Sequence, residues 1–315
     1  MNKCEIKKIL VVSLTNIGDV VLTCPVIDAL INRFPLAEIS IVVGPKAQTL
    51  FERNPYIKKV HVFTKKETFG ELVFLVRQLR QQRFDAVIDL RNTALGYFLG
   101  VPFHTSVFTH IDPYLHKRDQ HWQRLQSLFS DVERTKKRYA IFIDETIRKK
   151  SENILRQALE YGKGYCVIAA GSADRKKRWT ADGFIFICQA LVQVYRMPVF
   201  FVGDILDYEG AENIIRRVSQ GAVNLCGKLS LLETTWVLRN SRLLLCNDSA
   251  AMHLASYFDV PTVALFGPTD PRKYGPWGER SCFVRAKTIN EAGEGLMTTI
   301  DPQEVLMRMK ELIAL

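Results

Sequence analysis

The sequence predicts an α/β protein made of two consecutive doubly wound domains, and three observations carry that expectation. A length of 315 residues corresponds to two domains of about 150 residues each. Short apolar runs alternate with helix-period segments in two separate series, the pattern of right-handed βαβ units on a parallel sheet. Between the series lie a polar, aromatic stretch over 112–138 and the turn Tyr161-Gly-Lys-Gly164. This divides the chain into 1–160 and 161–315.

In the first series, strand-like runs fall at 8–13, 38–43, 59–63 and 85–90, with helices expected over 19–33, 45–53 and 68–82. Pro25 lies inside the first helix, where a missing N–H and a ring clash favour a kink. A charged helix is expected over 144–161, with glycine as its C-cap. The second series places strands at 165–170, 198–202, 222–225, 243–246 and 262–266, with helices over 181–195, 207–219, 231–240 and 249–258. An amphipathic helix over 302–315 is placed to pack back on the first domain.

The amino terminus is polar up to Lys8, and the apolar run that follows is too short for a secretory core or a membrane span. A cytoplasmic chain is the expectation. Seven cysteines without a C-x-x-C pair read as small buried hydrophobes rather than a disulfide or zinc framework. A net charge of +10 favours anionic partners, with nucleic acid, anionic lipid and phosphorylated glycan all candidates on charge alone. No helix-turn-helix, zinc-finger or aromatic-platform pattern supports nucleic acid.

Four segments carry chemistry. In Ser13-Leu-Thr-Asn-Ile-Gly-Asp19 a strand end passes through glycine into a helix. Asp19 there is either a helix cap or a carboxylate facing the ligand cleft that two consecutive doubly wound domains are expected to form. The string is neither G-x-G-x-x-G nor a Walker loop. In Ala170-Gly-Ser-Ala-Asp-Arg-Lys-Lys-Arg-Trp179 a glycine and a hydroxyl precede four cations, a composition able to hold a diphosphate or to form a solvated basic loop. Trp179 reads as a packing anchor. In Cys246-Asn-Asp-Ser-Ala-Ala-Met-His253 a strand opens a helix whose first amides suit phosphate. Ser249 and His253 share a helical face there. Asp248 would repel phosphate and suits sugar hydroxyls instead. Pro261-Thr-Val-Ala-Leu-Phe-Gly-Pro-Thr-Asp-Pro271 reads as a buried strand followed by a rigid loop.

Taken in order, Asn16-Ile-Gly-Asp19 with Val20-Val-Leu-Thr-Cys-Pro25, Lys177-Arg-Trp179, Asn247-Asp-Ser249 with Met252-His253, and Phe266-Gly-Pro-Thr-Asp-Pro271 resemble glycosyltransferase family 9, the ADP-heptose:lipopolysaccharide heptosyltransferases. The resemblance covers nearly the whole chain. It implies a GT-B fold, two Rossmann-like domains facing each other across a cleft, with the acceptor on the first and the donor on the second. It implies Asp19 as general base and Lys177, Ser249 with Ala250, and Ser172 at the donor diphosphate. Asp248 and His253 are implied at the donor sugar, and Asp207 or Glu209 at the ribose. Two strings depart from the family's common forms. Asn-Ile-Gly-Asp stands where Ala-Leu-Gly-Asp is common, and Asp-Ser-Ala where Asp-Thr-Gly is common, so Ala250 replaces a glycine.

The activity implied is inverting transfer of heptose from ADP-heptose to a Kdo-lipid A or core-heptose acceptor. No metal is expected and no cofactor is required, the ADP-sugar being a substrate. Lys58, Lys59, Lys65, Lys66 and Arg91 are candidates for the acidic glycolipid acceptor or for peripheral contact with the anionic inner membrane. The rival readings are a family 9 enzyme using another nucleotide sugar, a sugar-nucleotide epimerase of similar fold, and a non-catalytic nucleotide-sugar or glycan binder.

Overall fold

A computed structural model of the chain describes residues 6–64, 68–156, 164–218, 220–290 and 293–313. Lys65, Lys66 and most of the 161–164 turn lie outside the described residues. The chain forms two compact units, Met1–Phe142 and Ile143–Leu315.

The first unit runs β1 (Lys8–Val12), α1 (Ile17–Val21), α2 (Cys24–Arg33), β2 (Glu38–Val43), β3 (Ile57–Val62), α3 (Phe69–Gln81), β4 (Ala86–Asp89), α4 (Leu95–Leu99), β5 (Phe103–His104) and α5 (Lys117–Gln126). Its sheet has the order β3-β2-β1-β4-β5, with every pair parallel. Leu10, Val12, Val42 and Val87 share a face covered by Leu79 of α3 and by Leu95 and Leu99 of α4. The helix expected over 19–33 is two helices. Pro25 at the start of α2 offers no amide to continue the ladder, and the chain resets at Thr23, whose hydroxyl donates to Val20 O at 2.6 Å. The stretch 45–53 forms only a single tight 3-10 turn, Gln48–Leu50. Thr68 and Glu71 close a capping box that starts α3.

The second unit runs α6 (Glu145–Leu155), β6 (Cys166–Ala169), α7 (Ala181–Gln189), β7 (Val199–Phe201), α8 (Tyr208–Ile215), β8 (Ala222–Asn224), α9 (Leu231–Arg239), β9 (Leu243–Asn247), α10 (Ala250–Tyr257), β10 (Thr262–Phe266), α11 (Pro271–Tyr274), β11 (Ser281–Arg285) and α12 (Pro302–Ile313). Its sheet has the order β11-β10-β9-β6-β7-β8, again parallel throughout. The unit begins earlier than the expected 160/161 boundary because α6 belongs to it. Ser151 and Leu155 of α6 are buried, and Lys150 Nζ reaches the buried Glu233 of α9 at 2.6 Å. The terminal helix α12 packs on this unit's own sheet, with Val305 and Met309 fully buried in the same core as Leu245, Val263 and Leu265. Each such side chain contributes about 1.5–3 kcal/mol of apolar burial.

Both sheets reverse strand order beside their first strand, between β1 and β4 and between β6 and β9. Ligands of open α/β sheets bind outside the carboxyl ends of strands at such a reversal. The loops after β1 and β4, and after β6 and β9, are therefore the places to look for chemistry.

Candidate active site

In the first unit the loop after β1 is fixed by its own backbone and by the end of β2. Gly44 N donates to Leu14 O at 3.1 Å. A Cβ on Gly44 would lie 2.4 Å from Thr15 O, so only glycine admits this approach. Ser13 Oγ and Thr23 Oγ1 share a buried hydrogen bond of 2.8 Å. Gly18 lies within α1 and outside the left-handed region. Asp19, the third residue of α1, is half-buried, and its Oδ2 accepts from Asn16 Nδ2 at 3.0 Å.

The loop after β4 leaves the sheet beside it, since Val12 and Asp89 are register partners. Buried Asp89 accepts from the amides of Arg91 (3.1 Å) and Thr93 (2.6 Å) and from the Thr93 hydroxyl (2.9 Å). These bonds hold Asn92 and Ala94 at φ 63° and 61°, a left-handed conformation costing roughly 1 kcal/mol or more outside glycine. Arg91 lies over the Phe63 ring at 4.4 Å. Arg124 of α5 donates to Asn92 Oδ1 at 2.8 Å, and burial lowers its pKa against the opposing charge of Asp89. Arg91 thus sits at the same end of the sheet as Asp19, joined by Arg124, which no motif singled out.

Lys58 and Lys59 do not join them. They occupy the first half of β3, and the pairing shifts register there so that Lys58 is the extra residue of a bulge. Lys58 pairs with Glu38 at 3.1 Å. Lys8, Lys59, Gln82 and Phe84 line a groove of about 250 Å³ beside it. In a parallel sheet the amino ends lie opposite the loops that follow the strands, so the expected acceptor role of Lys58 and Lys59 is displaced to the wrong end.

In the second unit a chain of hydrogen bonds and one ion pair joins the loops after β6, β7, β9 and β10. Asp207 Oδ1 lies 3.4 Å from Arg178 Nη2, and Arg178 Nε donates to Ser172 O at 2.8 Å. Ser172 Oγ donates to Asp248 O at 3.2 Å. The Asp248 carboxylate accepts from Lys177 Nζ and from Thr269 Oγ1, both at 2.7 Å. Asn247 straps the basic loop to β9: its Oδ1 accepts from Trp179 N at 3.1 Å and its Nδ2 donates to Ala170 O at 2.7 Å. Trp179 is the expected anchor, buried against Phe184 with its Nε1 donating to Ile300 O.

Most of the basic loop is already balanced by carboxylates. Lys176 pairs with Glu294 (3.0 Å), Lys177 with Asp248 and Arg178 with Asp207. Asp207 rests on two glycines. A Cβ at Gly171 would lie 2.1 Å from its Oδ2, and one at Gly203 would lie 2.7 Å away. Burial raises its pKa, as does the charge of Asp204, while the Asp204 amide and Arg178 oppose them. Glu209 is exposed in the first turn of α8 and takes no part in these bonds.

Ser249 is the N-cap of α10 but makes no capping bond with its side chain. Its Oγ is buried and has no hydrogen-bond partner among the described residues. Such a group ordinarily costs about 1–3 kcal/mol. The free hydroxyl, the first-turn amides beside Ala250 and the positive end of the helix form a site suited to phosphate. His253 is buried one turn further along α10. The second unit therefore brings Ser172, Lys177, Asp207, Asp248, Ser249, Ala250 and His253 to one end of its sheet. Arg178, Asn247 and Thr269 complete the set, though only their place in the quoted strings could have marked them.

Comparison with known proteins fits this geometry. Residues 73–300 match the profile of glycosyltransferase family 9 (heptosyltransferase). The chain is 24% identical to lipooligosaccharide heptosyltransferase 2 of Haemophilus influenzae, over 97% of this chain and 99% of that protein. A solved glycosyl transferase family 9 structure from Veillonella parvula superposes with a TM-score of 0.84 at 24% identity, covering 98% of this chain and 97% of the other. The Escherichia coli ADP-heptose lps heptosyltransferase II structure gives 0.78 at 20% identity, with 98% of each chain covered. With the profile spanning most of its length and both sheets wound in Rossmann order, the chain belongs to glycosyltransferase family 9, the heptosyltransferases, and has their GT-B fold.

Proposed function

We propose that this chain is an inverting heptosyltransferase that moves a heptose from ADP-heptose to the inner core of lipopolysaccharide, onto Kdo-lipid A or a core heptose. The observation that carries the reading is the Asp248 carboxylate accepting from both Lys177 and Thr269, next to the Ser249 hydroxyl at the head of α10, which has no partner among the described residues. A cation, a hydroxyl and helix amides can together take a diphosphate, while Asp248 and His253 remain for sugar hydroxyls. The similarity to the Haemophilus lipooligosaccharide heptosyltransferase 2 and the Escherichia ADP-heptose lps heptosyltransferase II supports these donor and acceptor classes.

In this reading the acceptor hydroxyl oxygen attacks the anomeric carbon as the bond from that carbon to the diphosphate oxygen breaks. Asp19 takes the hydroxyl proton, and ADP leaves with the electron pair. One displacement with one base inverts the anomeric centre. Lys177, Ser249 and the first amides of α10 stabilise the charge that develops on the diphosphate. In the same proposal Arg91 and Arg124 receive acidic groups of the acceptor, a role supported by the position of Arg91 after the carboxyl end of β4 and by the Arg124 bond to Asn92 in that loop. The +10 net charge suits peripheral contact with an anionic inner leaflet. Among the described residues no helix is long and apolar enough to cross a membrane.

The test is transfer from ADP-heptose to defined core acceptors, with the product's anomeric configuration read by NMR. Asp19→Asn is expected to lower turnover by about 10²–10⁴-fold with ADP affinity unchanged. Near-normal turnover in that variant removes Asp19 as the base. Conversion of ADP-heptose without any acceptor points to an epimerase.

A further inference from the structure

Asn16 is an N-cap residue turned away from capping. Its backbone is extended, with φ −87° and ψ 144°, the conformation from which an asparagine oxygen accepts from the amide of the second or third helical residue. It makes no such bond. The third helical residue is Asp19, and Asn16 reaches the carboxylate of that residue, with Nδ2 donating to Oδ2 at 3.0 Å. Only the N–H₂ end of an amide attracts an ionised carboxylate, because its carbonyl end repels it. The contact therefore fixes the amide's orientation as well as the position of Oδ2.

The surroundings show why a tether matters here. The backbone before α1 is held by Gly44 N on Leu14 O, the close Gly44–Thr15 approach and the Ser13–Thr23 hydroxyl pair. Those contacts fix where the Asp19 main chain lies. They leave its half-exposed side chain free to rotate. A carboxylate serving as base must present one oxygen within hydrogen-bond reach of the proton it takes, and small misplacements of such groups cost rate steeply.

Resting on the reading of Asp19 as the base, we propose that Asn16 is a positioning residue for it. Asn16 holds Oδ2 by a charge-assisted hydrogen bond and leaves Oδ1 to face the acceptor hydroxyl. Asn16 touches no reacting atom and acts through Asp19.

A helix cap and a carboxylate tether predict different rankings for three variants, which makes the two roles separable. As caps, Asn, Asp and Ser are about equal and Ala is far worse. As donors to Asp19, Ser keeps an O–H, Ala has nothing, and Asp cannot donate and adds a like charge. The experiment measures kcat, KM for ADP-heptose and melting temperature for Asn16→Ala, Asn16→Ser and Asn16→Asp, with Asp19→Asn in parallel. The expected result is a kcat loss of about tenfold for Asn16→Ala, a larger one for Asn16→Asp and partial recovery in Asn16→Ser. KM for the donor should not move. If Asp19→Asn is inactive while Asn16→Asp and Asn16→Ser both turn over like wild type, Asn16 is only a cap and the proposal is overturned. If Asp19→Asn itself remains active, the base assignment fails first, and that failure is visible separately.

Discussion

Replacing Lys177 by alanine removes one partner of the most enclosed ion pair in the second unit's chain of contacts. The Asp248 side chain is 8% exposed and that of Lys177 25%, at 2.7 Å. Breaking a fully buried pair from one side costs about 3–5 kcal/mol, because the remaining charge has lost its partner. Here the ammonium is partly wet, and Thr269 still donates to the carboxylate at 2.7 Å. The expected cost is therefore smaller, about 1–2 kcal/mol. For a unit of this size that lowers the melting temperature by about 2–8 °C. Changing Asp248 to asparagine in the same chain removes the stranded charge and should recover most of the loss. Binding responds differently. Under the proposed donor role of Lys177, its loss should weaken ADP by about 10- to 100-fold, and Asp248→Asn should not restore it. Thermal unfolding and calorimetric titration with ADP at fixed salt give both quantities. If Lys177→Ala melts like wild type and binds ADP equally well, the pair neither stabilises this loop nor serves the donor.

Other consequences can be checked independently. Burial, aided by Lys117, Arg124 and His116, pushes the His121 pKa down to about 4, so the native state binds fewer protons than the unfolded chain between that pH and the unperturbed value of about 6.5. Stability should fall as pH drops through this window, by up to about 3 kcal/mol. His121→Gln should flatten the slope; equal slopes in denaturant titrations would show that the buried imidazole is not neutral. Gly171→Ala places a methyl 2.1 Å from Asp207 Oδ2, so the carboxylate must leave Arg178. A destabilisation of about 1–3 kcal/mol with weaker ADP binding is expected, and unchanged binding would remove Asp207 from the donor site. Lys58→Gln with Lys59→Gln, at the amino ends of the first sheet, should leave acceptor KM unchanged. A raised KM would return those lysines to the acceptor site.

Much of the architecture follows from local pattern. The run 38–43 is both the expected strand and β2, because Ile39, Ile41, Val42 and Val43 are β-branched and every residue after Glu38 is buried. Where local pattern was thin, elements were not foreseen. The α5 segment buries only His121, Trp122 and Leu125 within a strongly charged stretch, too sparse a stripe to show helical period. Strand β11 is an edge strand with one fully buried residue, Val284. The expected helix over 45–53 failed because its residues are held as tight turns, with Gly44 packed on Thr15 rather than leading into a helix.

What the sequence determined by itself was the two-fold βαβ series, the loops that carry polar residues after apolar strands, and the ordered strings that mark family 9. Each is a property of neighbouring residues, so it is written in the local chain. Only the tertiary structure decided which loops meet. Lys177 and Asp248 are 71 positions apart and become partners because β6 and β9 pair across the reversal of strand order. Lys58 and Lys59 fall at the far end of the first sheet because strand direction, not charge, sets which end a residue occupies. Asn16 lies three positions before Asp19, yet whether its side chain caps the helix amide or grips the carboxylate is a choice of rotamer, and the folded loop makes that choice.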